Sequence, residues 1–254
     1  MEQDNIPFTL TAHLFQGAAF DSRFGTGLDA LLASTIRKKE KSLNNLSGRE
    51  LDGGLSVREV RIVELPLAKC ECNEELWHWE ATMATVVDKG NAKANDEEIG
   101  FFIQHTDIHA LEQTSELQAY PSTISELRGR YRARRTPIVK TLGQSVVWNA
   151  IGSPEAVYDL VKDIPSIGQR RTSGEGAIRS WEITETKPEN PLLFSHSLDG
   201  ESLSRPASNE CLHQIEKLTG ILLEHSKQRV AYRPPYWHFG NIEELNAPPF
   251  RFSA

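Results

Sequence analysis

Between Val139 and Pro165 the chain reads VKTLGQSVVWNAIGSPEAVYDLVKDIP. The span Val139 to Ala150, carrying Val146, Val147 and Trp148, reads as a strand closed by Gly152. Ser153 is a helix N-cap, Pro154 takes the first helical position, and Glu155 sits in the electropositive first turn. Val157, Leu160, Val161 and Ile164 recur at helical spacing until Pro165 stops the run. A glycine-rich loop, Gly168 to Gly176, comes next. Ala177 to Thr184, with Trp181 and Ile183, reads as a returning strand. Strand, helix, loop and strand make one half of a βαββαβ unit.

The N-terminal end supplies the other half. Phe8, Leu10, Ala12 and Leu14 alternate with Thr9, Thr11 and His13, as on a half-buried strand. The turn Gly25-Thr26-Gly27 follows, with Thr26 and Asp29 spaced as a capping-box variant. Leu28, Leu31, Leu32 and Ile36 form a helical stripe that ends in the cations Arg37, Lys38, Lys39 and Lys41. Val57 to Leu65 reads as a second strand. Leu76 to Val87 reads as a third, with Trp77, Trp79, Ala81 and Met83 on one face. The stretch from Ile99 to Leu127 predicts a short strand at Phe101–Ile103 and a weak helix around Asp107–Leu117. The expected fold is therefore α+β: a ferredoxin-like βαββαβ core in residues 1–186, with a long central insertion at about 88–138. Prolines and short apolar groups from Lys187 onward suggest an irregular C-terminal extension, 187–254, packed on the core, with a helix near Glu210–Glu224.

The chain has 254 residues, of which 39% are apolar, enough for a proper core and too many for a disordered chain. Three cysteines (Cys70, Cys72 and Cys211) are too sparse for a disulfide framework. The acidic N-terminus lacks the features of a secretory signal, and no apolar run approaches the ~18–20 residues that cross a bilayer. The expected setting is the cytoplasm, with no membrane partner. Net charge is −7, but six basic residues and no acid lie between Arg128 and Lys140. Without that stretch, 22 basic residues face 35 acidic ones, a net of −13. Such segregation points to an anionic partner for the basic segment.

Arg128, Arg130, Arg132 and Arg134 recur at period two, so an extended segment aligns their guanidiniums on one face, with Gly129, Tyr131 and Ala133 on the other. Parallel guanidiniums repel unless an anion lies along them. With Arg135 and Lys140 they form a candidate ribbon for a phosphate backbone; the plain alternative is a solvated loop offsetting an acidic surface. The loop Gly168-Gln169-Arg170-Arg171-Thr172-Ser173-Gly174-Glu175-Gly176 is no dinucleotide site, because its helix precedes it and a strand follows. Its glycines can bring main-chain N–H groups close to an anion, with Arg170, Arg171, Thr172 and Ser173 as donors. Otherwise it is an ordinary connection.

Cys70, Cys72, Cys211 and His213 include four zinc-type donors, but their single-residue spacings are unusual, and free cysteines are mostly small buried residues. His105 and His109 lack the Glu of a catalytic zinc motif. No metal, cofactor or catalytic residue is therefore expected. Arg233-Pro234-Pro235-Tyr236-Trp237 can stack on bases, dock a partner, or pack into the core.

The segment Gly152-Ser153-Pro154-Glu155, the loop Ile167 to Gly176, and Arg179-Ser180-Trp181-Glu182 together resemble the Cas-five-like (Csf-three) RAMP subunit of type IV CRISPR effector complexes. Leu28-Asp29-Ala30-Leu31-Leu32-Ala33, Arg205-Pro206 and Arg233 to Trp237 extend the resemblance. It implies a non-catalytic subunit that caps the 5′ handle of the CRISPR RNA. Its neighbours are the backbone filament RAMP subunit and the large subunit, and the assembled complex is loaded onto target DNA. Gly168, Arg170, Arg171, Gly174 and Gly176 match the family's glycine loop. Lys38, Lys39, Arg233, Tyr236 and Trp237 are further candidate RNA or partner contacts. The competing reading is a metal-independent endonuclease that processes repeat RNA.

Overall fold

A computed structural model describes residues 5–20, 25–44, 61–88, 97–104, 107, 127–128, 132–169, 171 and 174–249. In chain order its elements are β1 (Ile6–Leu14), α1 (Leu28–Asn44), β2 (Lys69–Cys70), β3 (His78–Trp79), β4 (Thr85–Val87), β5 (Glu97–Gln104), β6 (Arg134–Thr141) and β7 (Ser145–Gly152). They continue with α2 (Pro154–Val161), β8 (Ile178–Glu185), α3 (Pro191–His196), α4 (Asn209–Thr219), β9 (Ser226–Ala231) and β10 (Ile242–Ala247). The class is mixed α and β, built on an antiparallel sheet of order β4-β7-β1-β8.

The alternation of β1 decides which side of the sheet is covered. Phe8, Leu10, Ala12 and Leu14 are buried, and opposite them stand Ala150, Trp148 and Val146 on β7 and Ile183 and Trp181 on β8. Leu28 and Leu32 of α1 and Val157 and Val161 of α2 join the same cluster. Trp148 stacks on Trp181 at 6.1 Å, and each indole N–H donates to a carbonyl, of Thr26 and Ile164 respectively. Both rings thus bury their area without an orphaned donor. The other face is polar: Thr9 donates to Asn149, and His13 bridges Ser145 at 3.0 Å and Glu182 at 2.8 Å. The N-cap of α2 forms as its sequence dictates, Ser153 Oγ accepting from the Ala156 N–H.

Several expectations need correction. The strand expected over Val139 to Ala150 is two strands, because the chain reverses at Leu142-Gly143-Gln144. There Gln144 N donates to the Val87 carbonyl and Gln144 O accepts from Leu14 N. The strand expected from Leu76 to Val87 is broken into β3, β4 and single bridges at Ala81 and Met83. Its outer carbonyls are already taken: the Arg205 guanidinium donates to Trp79 O and to Ala81 O. Of Val57 to Leu65, the part from Arg61 forms no ladder, and the remainder lies outside the described residues. Asp29 accepts from Ala30 N and from the Tyr236 hydroxyl, so its carboxylate turns inward to a distant segment of chain.

The C-terminal extension is more regular than its prolines suggest. Asn190 and Ser208 cap α3 and α4, Gly220 closes α4 at φ 72°, and β9 pairs with β10. Leu203, Ala207, Cys211, Ile215 and Leu223 form a second apolar cluster around Cys70, and α3 lies against β7. That packing explains why all eight residues of β7 are buried. The helix expected near Glu210–Glu224 ends at Thr219. In the insertion, β5 and β6 pair from Glu97↔Thr141 to Gln104↔Arg134. The weak helix expected at Asp107–Leu117 lies outside the described residues except for Asp107.

Candidate functional site

The glycine loop and the foot of the β5–β6 ladder meet at one end of the sheet. Leu14 leads into the loop's neighbour, residues 15–20, and Ala18 bridges Thr141, the last residue of β6. Lys140 of β6 pairs with Glu175 of the loop at 2.5 Å, with both side chains largely buried. The Lys140 charge is thereby taken by a protein carboxylate. Gln16 Nε2 donates to Gly174 O, and Gln169 N donates to Ala19 O.

Two of the loop glycines serve the fold directly. Gly168, at φ +82°, and Gly176, at φ +61°, lie so close to Ala19 O and Ile167 O that a Cβ would stand 2.2 and 2.0 Å from them. Gly174, at φ +87°, faces open space. Arg171 is exposed; Arg170, Thr172 and Ser173 lie outside the described residues.

The arginine run enters a strand only at its end. Arg134 and Arg135 belong to β6 and are exposed, Arg128 and Arg132 are exposed before it, and Arg130 and Tyr131 lie outside the described residues. Arg135 stacks 3.8 Å over the Phe101 ring, which holds its guanidinium against the outward face of the ladder. Ile99, Phe101 and Ile103 share that face with Arg135, Pro137 and Val139 and are all exposed. One cation was missed in the sequence. Arg179, at the start of β8, stacks on the exposed Phe15 beside the loop. Its signal was an arginine just beyond the last loop glycine.

The outlying candidates separate from this end. Lys38 and Lys39 are exposed on α1, and Lys39 donates to the Asp159 carbonyl of α2. Arg233 stacks over Trp77 and Tyr232. Tyr236 is not a free ring: its hydroxyl donates to Asp29, which lies 3.7 Å from the buried Arg205. Burial raises the Asp29 carboxyl, an effect that Arg205 partly offsets, and burial likewise holds the Tyr236 phenol well above its ordinary value. Trp237 is 78% exposed.

A second cluster lies where the extension meets the core. Cys70 of β2, His78 of β3, His196 at the end of α3 and Cys211 in the first turn of α4 are all buried, their donor atoms within 4.8 Å of one another. Cys70 Sγ stands 3.7 Å from Cys211 Sγ and 3.3 Å from Cys72 Sγ. The hydrogen bonds from Cys70 and Cys72 hold the Cys211 thiol far down, and burial holds the His78 imidazole well below its ordinary value. His213, the histidine nearest Cys211 in sequence, points to solvent instead. His78 was hidden by its place between two tryptophans, and His196 by a separation of 118 residues from it.

Among the described residues no helix is long and apolar enough to cross a membrane. No curated protein matches the chain. The family described as CRISPR type IV associated protein Csf3 matches residues 6–191, from β1 into the first residue of α3. That span includes the whole sheet, the glycine loop and the arginine-bearing ladder. The chain belongs to the Csf3 family of type IV CRISPR-associated proteins.

Proposed function

We propose that this CRISPR-associated protein is a non-catalytic RNA-binding subunit of a type IV ribonucleoprotein. It caps the 5′ handle of the CRISPR RNA and helps assemble the DNA-targeting complex with the backbone filament and large subunits. The observation that carries this reading is the Lys140–Glu175 pair. It fastens the foot of the arginine-bearing ladder to the glycine loop, which supports reading the two basic elements as parts of one RNA-binding surface. Arg171 is exposed beside that junction, with Gly174 open to a close backbone approach, and Arg128, Arg132, Arg134 and Arg135 are exposed toward the far end of the ladder, where they can follow a phosphate backbone away from it. Among the nearby cations, Lys140 has a structural task.

The chain order β1-α1-β4-β7-α2-β8 and the sheet order β4-β7-β1-β8 support a ferredoxin-like βαββαβ core in residues 1–186, with the ladder as its insertion. Residues 187–254 are an extension of that domain. Shared architecture alone does not decide chemistry.

One observation favours the endonuclease reading. His13 stands part-exposed on the polar face of the sheet, paired with Glu182 and Ser145, a histidine–carboxylate arrangement suited to proton transfer. A single experiment separates the two readings. The protein is produced with its CRISPR array, the co-purifying RNA is sequenced, and repeat RNA is incubated with the protein without metal. Handle-bearing RNA recovered with the protein and no cleavage is the expected result. Cleavage abolished by His13→Ala would replace the binding reading with the nuclease one.

A further inference from the structure

We infer that Cys70, His78, His196 and Cys211 form a closed tetrahedral site for a zinc ion that fastens the C-terminal extension to the core. The inference does not depend on the RNA-binding reading. All four donors are of the zinc type, all are buried, and each comes from a different element.

The spacing fits the metal. Zn–S bonds of ~2.3 Å in a tetrahedron place two sulfurs about 3.8 Å apart. The Cys70 and Cys211 sulfurs are 3.7 Å apart. Zn–N bonds of ~2.0–2.1 Å ask for about 3.4 Å between the two nitrogens, and His78 Nε2 and His196 Nε2 stand at 2.9 Å. All four donor atoms already lie within 4.8 Å of one another, so local side-chain movement closes the site.

The hydrogen bonding gives an independent argument. His196 Nδ1 lies 2.8 Å from Leu192 O, and His78 Nδ1 lies 3.4 Å from Leu76 O. A carbonyl oxygen only accepts, so each Nδ1 carries its ring's proton. Each Nε2 then presents a lone pair, and the two lone pairs face each other in a buried setting. A proton shared between them would place a bare imidazolium in the interior, which is costly. A divalent cation held by two thiolates is neutral overall and satisfies both nitrogens. The contacts at Nδ1 are the second-shell pattern of zinc-bound histidine. Both cysteines bind as thiolates and each sulfur forms a bond to zinc, any thiol proton passing to solvent as the bond forms.

Cys72 is the competing ligand, 3.3 Å from Cys70 Sγ but less deeply buried. The site also links two regions. Cys70 and His78 lie within the residues matched by the family, whereas His196 and Cys211 lie beyond them. The ion would therefore join β2 and β3 to α3 and α4.

The test uses the full-length protein without a histidine tag. Elemental analysis of the wild type should find about one zinc per chain. After chelation, cobalt(II) should restore the intense visible bands of a tetrahedral ion with thiolate ligands. His196→Gln and Cys211→Ser should lower metal content at least about tenfold, whereas Cys72→Ser should retain both the metal and the cobalt spectrum. The wild-type measurements stand even where a ligand variant fails to fold. Chelation should also open the junction before α3 to limited proteolysis. Wild-type protein that holds no zinc, takes up no cobalt and leaves Cys70 and Cys211 open to a thiol reagent would overturn the inference. Metal lost with Cys72→Ser but kept with His196→Gln would overturn the ligand assignment.

Discussion

Replacing Arg205 by Met tests whether a single buried guanidinium holds the extension to the core. Arg205 is 1% exposed and donates to Trp79 O, to Ala81 O at 2.6 Å and to Tyr232 O at 2.9 Å, with Asp29 3.7 Å away. Methionine fills much of the space and removes every one of these bonds. Asp29, itself 1% exposed, is then left with only Tyr236 and the Ala30 N–H. Breaking a buried pair in this way costs about 3–5 kcal/mol. At ~2–4 °C per kcal/mol for a chain of this size, the melting midpoint should fall by about 6–20 °C.

The sign of a second change sharpens the test. Adding Asp29→Asn to Arg205→Met removes the stranded charge, so the double variant should regain about 1–3 kcal/mol over Arg205→Met alone. The pH dependence follows from the raised Asp29 carboxyl. Burial raises its folded-state value above the unfolded one, so the associated stability is fullest below the ordinary value of 3.8 and is lost as pH rises through the higher folded-state value. Without Arg205 that loss grows, and the deficit of Arg205→Met should widen from acid to neutral pH. Urea unfolding monitored by tryptophan fluorescence measures all three quantities. An Arg205→Met variant within about 1 kcal/mol of wild type, or a double variant less stable than the single, would refute the reasoning.

Gly176→Ala should destabilise by about 2–5 kcal/mol, since its φ is +61° and its Cβ would meet Ile167 O, whereas Gly174→Ala should cost only about 1–2 kcal/mol because nothing crowds it; chemical denaturation compares them. Arg134→Ala with Arg135→Ala should flatten the salt dependence of RNA affinity by about 1.4, from ~0.7 per phosphate contact, and weaken all RNA sequences alike. Fluorescence anisotropy across a salt series reads that slope, and an unchanged slope would remove these arginines from the interface. Lys140→Met leaves Glu175 largely buried and unpaired, so it should lower stability by about 1–3 kcal/mol while leaving the salt slope unchanged. The same two assays check it.

What the sequence discloses depends on whether neighbours reinforce a local pattern. The alternation of β1 was legible because one of its faces is apolar and the other polar. The limits of α2 were legible because Ser153, Pro154 and Pro165 act within the helix's own turns. β7 carries no alternation, since elements distant in sequence cover its second face, and its start was blurred into β6. The segment from Leu76 to Val87 has the composition of a strand, but Arg205, more than 120 residues away, takes carbonyls that a ladder would need. The same distance hid the cysteine–histidine cluster. Cys70 and Cys211 were visible as donors, but the histidines that approach them come from β3 and α3, not from the neighbouring His213. Lys140 illustrates the limit of charge counting. Within a basic run it looks like an anion ligand, and only the fold shows that a loop carboxylate has claimed it.

The hold of Arg205 on Trp79 and Ala81 also governs how the sheet can meet other chains. Unpaired carbonyls along a terminal strand are a template for strand addition, whether by a partner or by another copy in an aggregate. Along Trp79–Met83 that template is blocked: the guanidinium occupies two carbonyls, and Met83 N donates to Ser204 O. The other terminal strand is β8, where Arg179, Glu182 and Glu185 punctuate the edge with charge. Strand addition is therefore closed along Trp79–Met83, and along β8 it has to contend with charged side chains.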